Sequence, residues 1–139
     1  MNERVTIFIS HVSEDETIAL ALKDFLEGIF LNASVFVSGR DLTGGQVWIE
    51  ELRNQLANAT AILALVSQRS LGSEWVYFEA GAGFCRRCTI PLLISGVTVE
   101  DVGPPFSLLQ LRRIDQVGLQ TMVRDIAGLA QMLTPARFP

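Results

Sequence analysis

Two residues in this sequence have the types and the spacing to work together on one ligand. Trp75 and Glu79 stand four positions apart in Glu74-Trp75-Val76-Tyr77-Phe78-Glu79-Ala80, which reads as helix, so they share a face. Helical side chains lean toward the start of their helix, which aims both residues at the loop that precedes it. A carboxylate beside an indole suits a ligand with a flat ring and hydroxyl groups. The ring stacks on the aromatic plate, and the carboxylate accepts hydrogen bonds from a sugar. Chemistry that passes through an oxocarbenium-like state also gains from a nearby negative charge. On spacing alone, the plainer reading is favoured: an exposed helical glutamate beside a core tryptophan.

Three further groups qualify. Ser38-Gly39-Arg40-Asp41-Leu42-Thr43-Gly44-Gly45 is a polar, glycine-containing loop. It can wrap a phosphate with backbone N–H groups and Arg40, or simply be a solvated loop with Arg40 paired to Asp41. It lacks the lysine and the spacing of a P-loop, so ATP hydrolysis of that type is not expected. Phe8-Ile9-Ser10-His11-Val12-Ser13-Glu14-Asp15 places Ser10 and Ser13 where a strand gives way to a helix, within reach of a ligand. His11 is the only histidine, and no G-x-S-x-G elbow accompanies it, so a structural or loop-orienting role is the better reading. Trp48 lies just past the 38–45 loop, either covering the core or facing the site. Finally, Cys85-Arg86-Arg87-Cys88 offers two thiols with only His11 to help them, too few for zinc. Neighbouring arginines favour a redox pair, but the pair falls at the end of a helix rather than at its start, and structural cysteines are the expectation.

The elements that position these residues follow from periodicity. Val5-Thr6-Ile7-Phe8-Ile9 reads as a first strand. Ser13-Glu14-Asp15-Glu16 fits a capping box, and Ile18, Leu22, Phe25, Leu26 and Ile29 then recur at helical spacing. Val35-Phe36-Val37 is a second strand. Ile49, Leu52, Leu56 and Ala59 mark a second helix. Ala61-Ile62-Leu63-Ala64-Leu65-Val66 is an unbroken apolar run, as expected of a strand covered on both faces. Ser73 caps a third helix that runs to about Arg87. A fourth strand spans residues 89–94, with Pro91 placing it near its start or an edge. Residues 109–114 form a fifth, and Leu119, Met122, Ile126, Leu129 and Leu133 mark a last helix. Strands alternating with helices predict one doubly wound α/β domain over residues 1–134, with 135–139 a tail or the start of a linker. Ligands of such sheets bind outside the carboxyl ends of the strands, where the strand order reverses. That selects the loops at 10–13, 38–45 and 67–73.

Composition bounds the function. The 139 residues are 49% apolar, enough for one core and two helical layers on a sheet. No apolar run approaches the ~18 residues of a membrane span, no signal peptide is visible, and cytoplasm is the expected location. The net charge of −4 and the lack of a basic face argue against direct nucleic-acid binding.

In combination, these segments resemble a Toll/interleukin-1 receptor (TIR) domain of the bacterial kind. The resemblance rests on Phe8-Ile9-Ser10-His11-Val12-Ser13-Glu14-Asp15, on the loop with Arg40-Asp41 and Gly44-Gly45, and on Trp75-Val76-Tyr77-Phe78-Glu79, which matches a W-x-x-x-E pattern. It covers about residues 4 to 133. It implies a flavodoxin-like three-layer fold with a five-stranded parallel sheet, and an Arg40-Asp41 loop acting as a lid. It also implies one of two functions: cleavage of NAD⁺ at the nicotinamide–ribose bond, or a non-catalytic TIR–TIR scaffold or host-signalling mimic. The glutamate and tryptophan of the enzymatic type are matched, and the receptor-type proline of the second segment is replaced by Thr43, which favours the enzyme.

The resemblance assigns Glu79 to the ribose hydroxyls, Trp75 to a ligand ring, Phe8 to the pocket wall, and Ser10, Ser38 and Arg40 to ribose or diphosphate. NAD⁺ is then the substrate rather than a cofactor. The products are nicotinamide with ADP-ribose or a cyclic isomer. The expected setting is self-association with further copies, under a fused or separate sensor, as an effector of antiphage defence. Among rivals, a phosphorylation-controlled receiver fails because Ile9 runs into Ser10-His11 and Val66 into Ser67, where acidic residues are required. A nucleoside deoxyribosyltransferase remains a minor alternative, with a nucleoside as its substrate.

Overall fold

The computed structural model describes residues 4–38 and 45–131, with residues 45–47 described by their backbone alone. Within them the order of elements is β1 (Val5–Ser10), α1 (Glu16–Ile29), β2 (Ala33–Val37), α2 (Gly45–Asn58), β3 (Ala61–Val66), α3 (Glu74–Gly81), β4 (Thr89–Leu93), β5 (Arg112–Arg113) and α4 (Gln116–Leu129). The strands form one parallel sheet in the order β2-β1-β3-β4-β5. The chain leaves β1 toward β2 on one side and continues to β3 on the other, so the switch point lies at the carboxyl ends of β1 and β3.

The period of two along each strand builds the two faces. Val5, Ile7 and Ile9 of β1 and Ala61, Leu63 and Leu65 of β3 pack with Leu22 and Leu26 of α1 and Met122 and Ile126 of α4. The alternate residues face the other way. Phe8 and Ile62 meet Leu52 and Leu56 of α2, and Ala64 and Val66 meet Val76 and Ala80 of α3. Ser10 continues the Phe8 side, and Ser38 continues the side of Phe36, which packs against that same cluster. Alternation alone therefore aims both serines at the α2–α3 layer.

Several local expectations are corrected. The Ser13 capping box does not form. Residues Ser13–Asp15 make a 3₁₀ turn with no side-chain cap, and Asp15 turns inward instead. The third helix stops at Gly81, and turns carry the chain through Arg87, which takes a left-handed φ of 59°. The fifth strand is two residues long, paired only with Leu92 and Leu93. That shortness accommodates Pro91. The Ile94 N–H donates toward β3, so alternation turns the prolyl nitrogen to the β5 side, beyond the reach of that short strand. The last helix is capped by the Asp115 side chain, which accepts from the Gly118 N–H. Leu133, Arg40 and Asp41 of the loop expected to act as a lid, and the tail lie outside the described residues. No helix among them is long and apolar enough to cross a membrane.

Candidate active site

The site is assembled from the ends of two strands and one turn of helix. Ser73 caps α3 by accepting from the Val76 N–H, which fixes where the helix begins and hence which of its faces meets the sheet. That face carries Val76, Glu79 and Ala80, all buried. Val76 and Ala80 fill the apolar layer above β3, and Glu79 between them is drawn to the strand ends.

There the two serines meet it. The Ser10 hydroxyl donates to Glu79 Oε1 at 2.6 Å, and the Ser38 hydroxyl donates to Oε2 at 2.6 Å. Ser10, Ser38 and Glu79 are all buried, with Glu79 at 0% exposure. The exposed-glutamate reading therefore does not hold. A buried carboxylate needs hydrogen-bond donors, and a hydroxyl on each oxygen supplies two at the short distance expected of a charge-assisted bond. The Ser38 backbone N–H is itself held by the Ile9 carbonyl at 3.0 Å, so the end of β2 is tied to β1.

The aromatic residues lie on the α2–α3 side. Trp75 is half-buried and stands edge-on to Trp48, with ring centroids 5.5 Å apart at 87°, and edge-on to Phe78 at 5.4 Å. Phe8 lies deeper. It is buried and stacked on Phe36 at 5.4 Å, within the cluster against which both tryptophans pack. Thus Ser10, Ser38 and Glu79 touch directly, Trp75 and Trp48 form a second group one helical turn away, and Phe8 supports from beneath. Arg40 is outside the described residues.

A groove of about 400 Å³ opens between α2 and α3, lined by Leu52, Leu56, Trp75, Phe78, Arg53 and Arg86. Its floor is apolar. Arg86 is occupied at its rim, donating to the Leu56 and Ala59 carbonyls at the end of α2.

Sequence reasoning missed a second polar cluster at the same end of the sheet. Asp15, buried, accepts from the Ser67 hydroxyl at 2.6 Å and from Arg69 Nη2 at 3.1 Å. The Ser67 N–H donates to Ser70 Oγ at 2.7 Å, and the Ser70 N–H returns a bond to Ser67 Oγ. This knot fastens the loop after β1 to the loop that leads into α3. No spacing could have revealed it, since its partners are 52 and 54 residues apart. His11, also buried, sits in the first of these loops. Cys85 is exposed and Cys88 buried, and burial pushes the Cys88 thiol up, opposite to an activated nucleophile.

Comparison with known proteins places the fold. The family model described as TIR domain matches residues 7–133. A solved TIR-STING receptor from C. gigas, in complex with 2′,3′-cGAMP, has the same fold at a TM-score of 0.64 and 23% identity. The alignment covers 94% of this chain and 40% of that one, so the chain spans well under half of the receptor. No curated protein matches. With a family match over nearly the whole sheet and all its helical layers, the chain belongs to the TIR-domain family.

Proposed function

We propose that this chain cleaves the nicotinamide–ribose bond of NAD⁺, with Glu79 as the residue on which the reaction turns. The observation that carries this reading is the Glu79 carboxylate itself. It is buried at the carboxyl ends of β1 and β2 beside two hydroxyl donors, one helical turn from Trp75. An acceptor so placed takes the hydroxyls of a ribose in the way it already takes those of serine. As the bond from C1′ to the nicotinamide nitrogen breaks, its electron pair leaves with nicotinamide and positive charge grows on the sugar. A carboxylate fixed nearby stabilises that charge without reorganising. Water then bonds to C1′ and loses a proton, giving ADP-ribose. Alternatively, an adenine or ribose atom of the same molecule attacks and gives a cyclic isomer.

The paired indoles of Trp75 and Trp48 supply a surface for a ligand ring. Arg40 is assigned to the diphosphate. Self-association belongs to this proposal, since Phe78 is 62% exposed beside the α2–α3 groove and gives a second copy an apolar surface to cover. The same exposed face favours the second reading, a non-catalytic TIR–TIR interaction module. In the first reading the chain is a cytoplasmic effector of antiphage defence, answering to a fused or separate sensor.

The test is to incubate concentrated protein with NAD⁺ and follow nicotinamide by chromatography, with Glu79→Ala and Glu79→Gln alongside. Release that depends on Glu79 supports the enzyme. No release at any concentration, together with concentration-dependent assembly in sedimentation, selects the interaction module.

A further inference from the structure

We propose that Ser38 competes with substrate at the Glu79 site, its hydroxyl holding the carboxylate oxygen that a substrate diol takes on binding. The inference rests on reading Glu79 as a ribose-binding carboxylate and adds which donor the substrate displaces there. Both oxygens are in use, Oε1 by Ser10 and Oε2 by Ser38, each at 2.6 Å and each buried. Each carboxylate oxygen can accept more than one hydrogen bond, but Glu79 is 0% exposed, so a vicinal diol reaches it only by moving a group that covers it. Where that group is a donor of its own chemical kind, a hydroxyl exchanged for a hydroxyl keeps the carboxylate supplied with donors.

The two donors are not equally displaceable. Ser10 is the last residue of β1, which is paired on both sides, with β2 and with β3, and Ser10 itself is in register with Ala64. Its backbone is fixed by the centre of the sheet. Ser38 follows the last residue of β2, an edge strand, and is held to the sheet by its N–H bond to Ile9. Edge-strand ends open at lower cost than central strands, so Oε2 is the oxygen released. Ser10 stays in place and keeps the carboxylate aimed. It is a positioning residue, and Ser38 is an intramolecular competitor of the substrate.

The experiment measures ADP-ribose binding by calorimetry and the kcat and KM for nicotinamide release, in the wild-type chain and in Ser38→Ala, Ser38→Thr and Ser10→Ala. Thermal melts show which variants remain folded. Removal of one hydrogen bond to a charged group should make ADP-ribose bind about tenfold tighter to Ser38→Ala and lower KM by a similar factor. Ser38→Thr, which keeps the hydroxyl, should gain less than Ser38→Ala. Ser10→Ala should lower kcat with little gain in affinity. Weaker or unchanged binding by folded Ser38→Ala overturns the inference while leaving Glu79-dependent cleavage intact. If Ser38→Ala does not fold, the same measurement on Ser38→Cys, a weaker donor of similar size, decides it by the same signs. Neither binding nor cleavage in any variant overturns both this inference and the reading on which it rests.

Discussion

Asp15 and Glu79 are two carboxylates buried at the same end of the same sheet, and the hydrogen-bond donors described for them differ in kind. Asp15 accepts from a guanidinium and a hydroxyl, and its neighbours Ser67 and Ser70 bond back to each other. Glu79 accepts a serine hydroxyl on each oxygen. A ligand offers nothing that replaces an arginine knotted to a loop, but every ribose offers what replaces a serine. The first carboxylate holds two loops together, and the second is shaped for exchange. Burial alone did not separate them, but the chemistry of their donors does.

The largest effect that would sharpen this contrast is on catalysis. Glu79→Gln retains the size and one acceptor oxygen, so the fold should survive. Nicotinamide release should fall by about 10³-fold, the scale of removing one preorganised charge stabiliser. Glu79→Ala should fall at least as far. If Glu79→Gln keeps its rate, the exchangeable carboxylate is no more chemical than Asp15 and the contrast is broken.

The opposite signature is expected at Asp15. Asp15→Ala leaves the buried Ser67 hydroxyl without its acceptor and Arg69 with only the longer contact to Glu14 at 4.0 Å. Because Arg69 is 53% exposed and can turn to water, the cost should be about 2 kcal/mol rather than the full cost of breaking a buried pair. Denaturant unfolding measures it. Among molecules that remain folded, release per molecule should drop far less than in Glu79→Gln.

How much of this was legible follows from range. The strands, the amphipathic helices and the parallel order came from periodicity, since a two-residue or 3.6-residue pattern survives in the sequence whatever packs on it. Trp75 and Glu79 were visible because both lie on one helix. What stayed hidden is tertiary. Asp15 looked like part of a cap because Ser13 and Glu16 flank it locally, yet Ser67 and Arg69 pull it inward from across the chain. Ser10 and Ser38 could be named as loop serines, but not as partners of residues 69 and 41 positions away. Nor could the pattern announce Gly118, where a Cβ would fall on the Arg113 carbonyl and hold α4 off β5.

A smaller effect is expected at the aromatic group. Trp75→Ala removes the indole that stands edge-on to both Trp48 and Phe78. If it serves as a ring platform beside an exchangeable carboxylate, KM for NAD⁺ should rise about tenfold with kcat changed less, the scale of one lost aromatic contact. An unchanged KM would leave Glu79 without its proposed companion.

Cys88 gives the smallest and cleanest control, because it is a buried titratable group with neither role. Burial raises its pKa from 9.0, against a lesser lowering by Arg86. The sign follows. As pH rises past about 9 the unfolded thiol ionises while the folded one holds its proton, so the folded state is the one that loses ground. This contribution is complete below the unfolded pKa and is lost as pH climbs through the folded one, with a slope of at most about 1.4 kcal/mol per pH unit. Unfolding midpoints at about pH 8 and about pH 10, compared between the wild-type chain and Cys88→Ala, isolate it by difference, since every other group titrates in both. A steeper alkaline loss in the wild-type chain marks Cys88 as ordinary buried core. An equal loss in both would mean that the thiol ionises as readily folded as unfolded, and the Cys85–Cys88 pair would then rejoin Glu79 among the groups with chemistry to do.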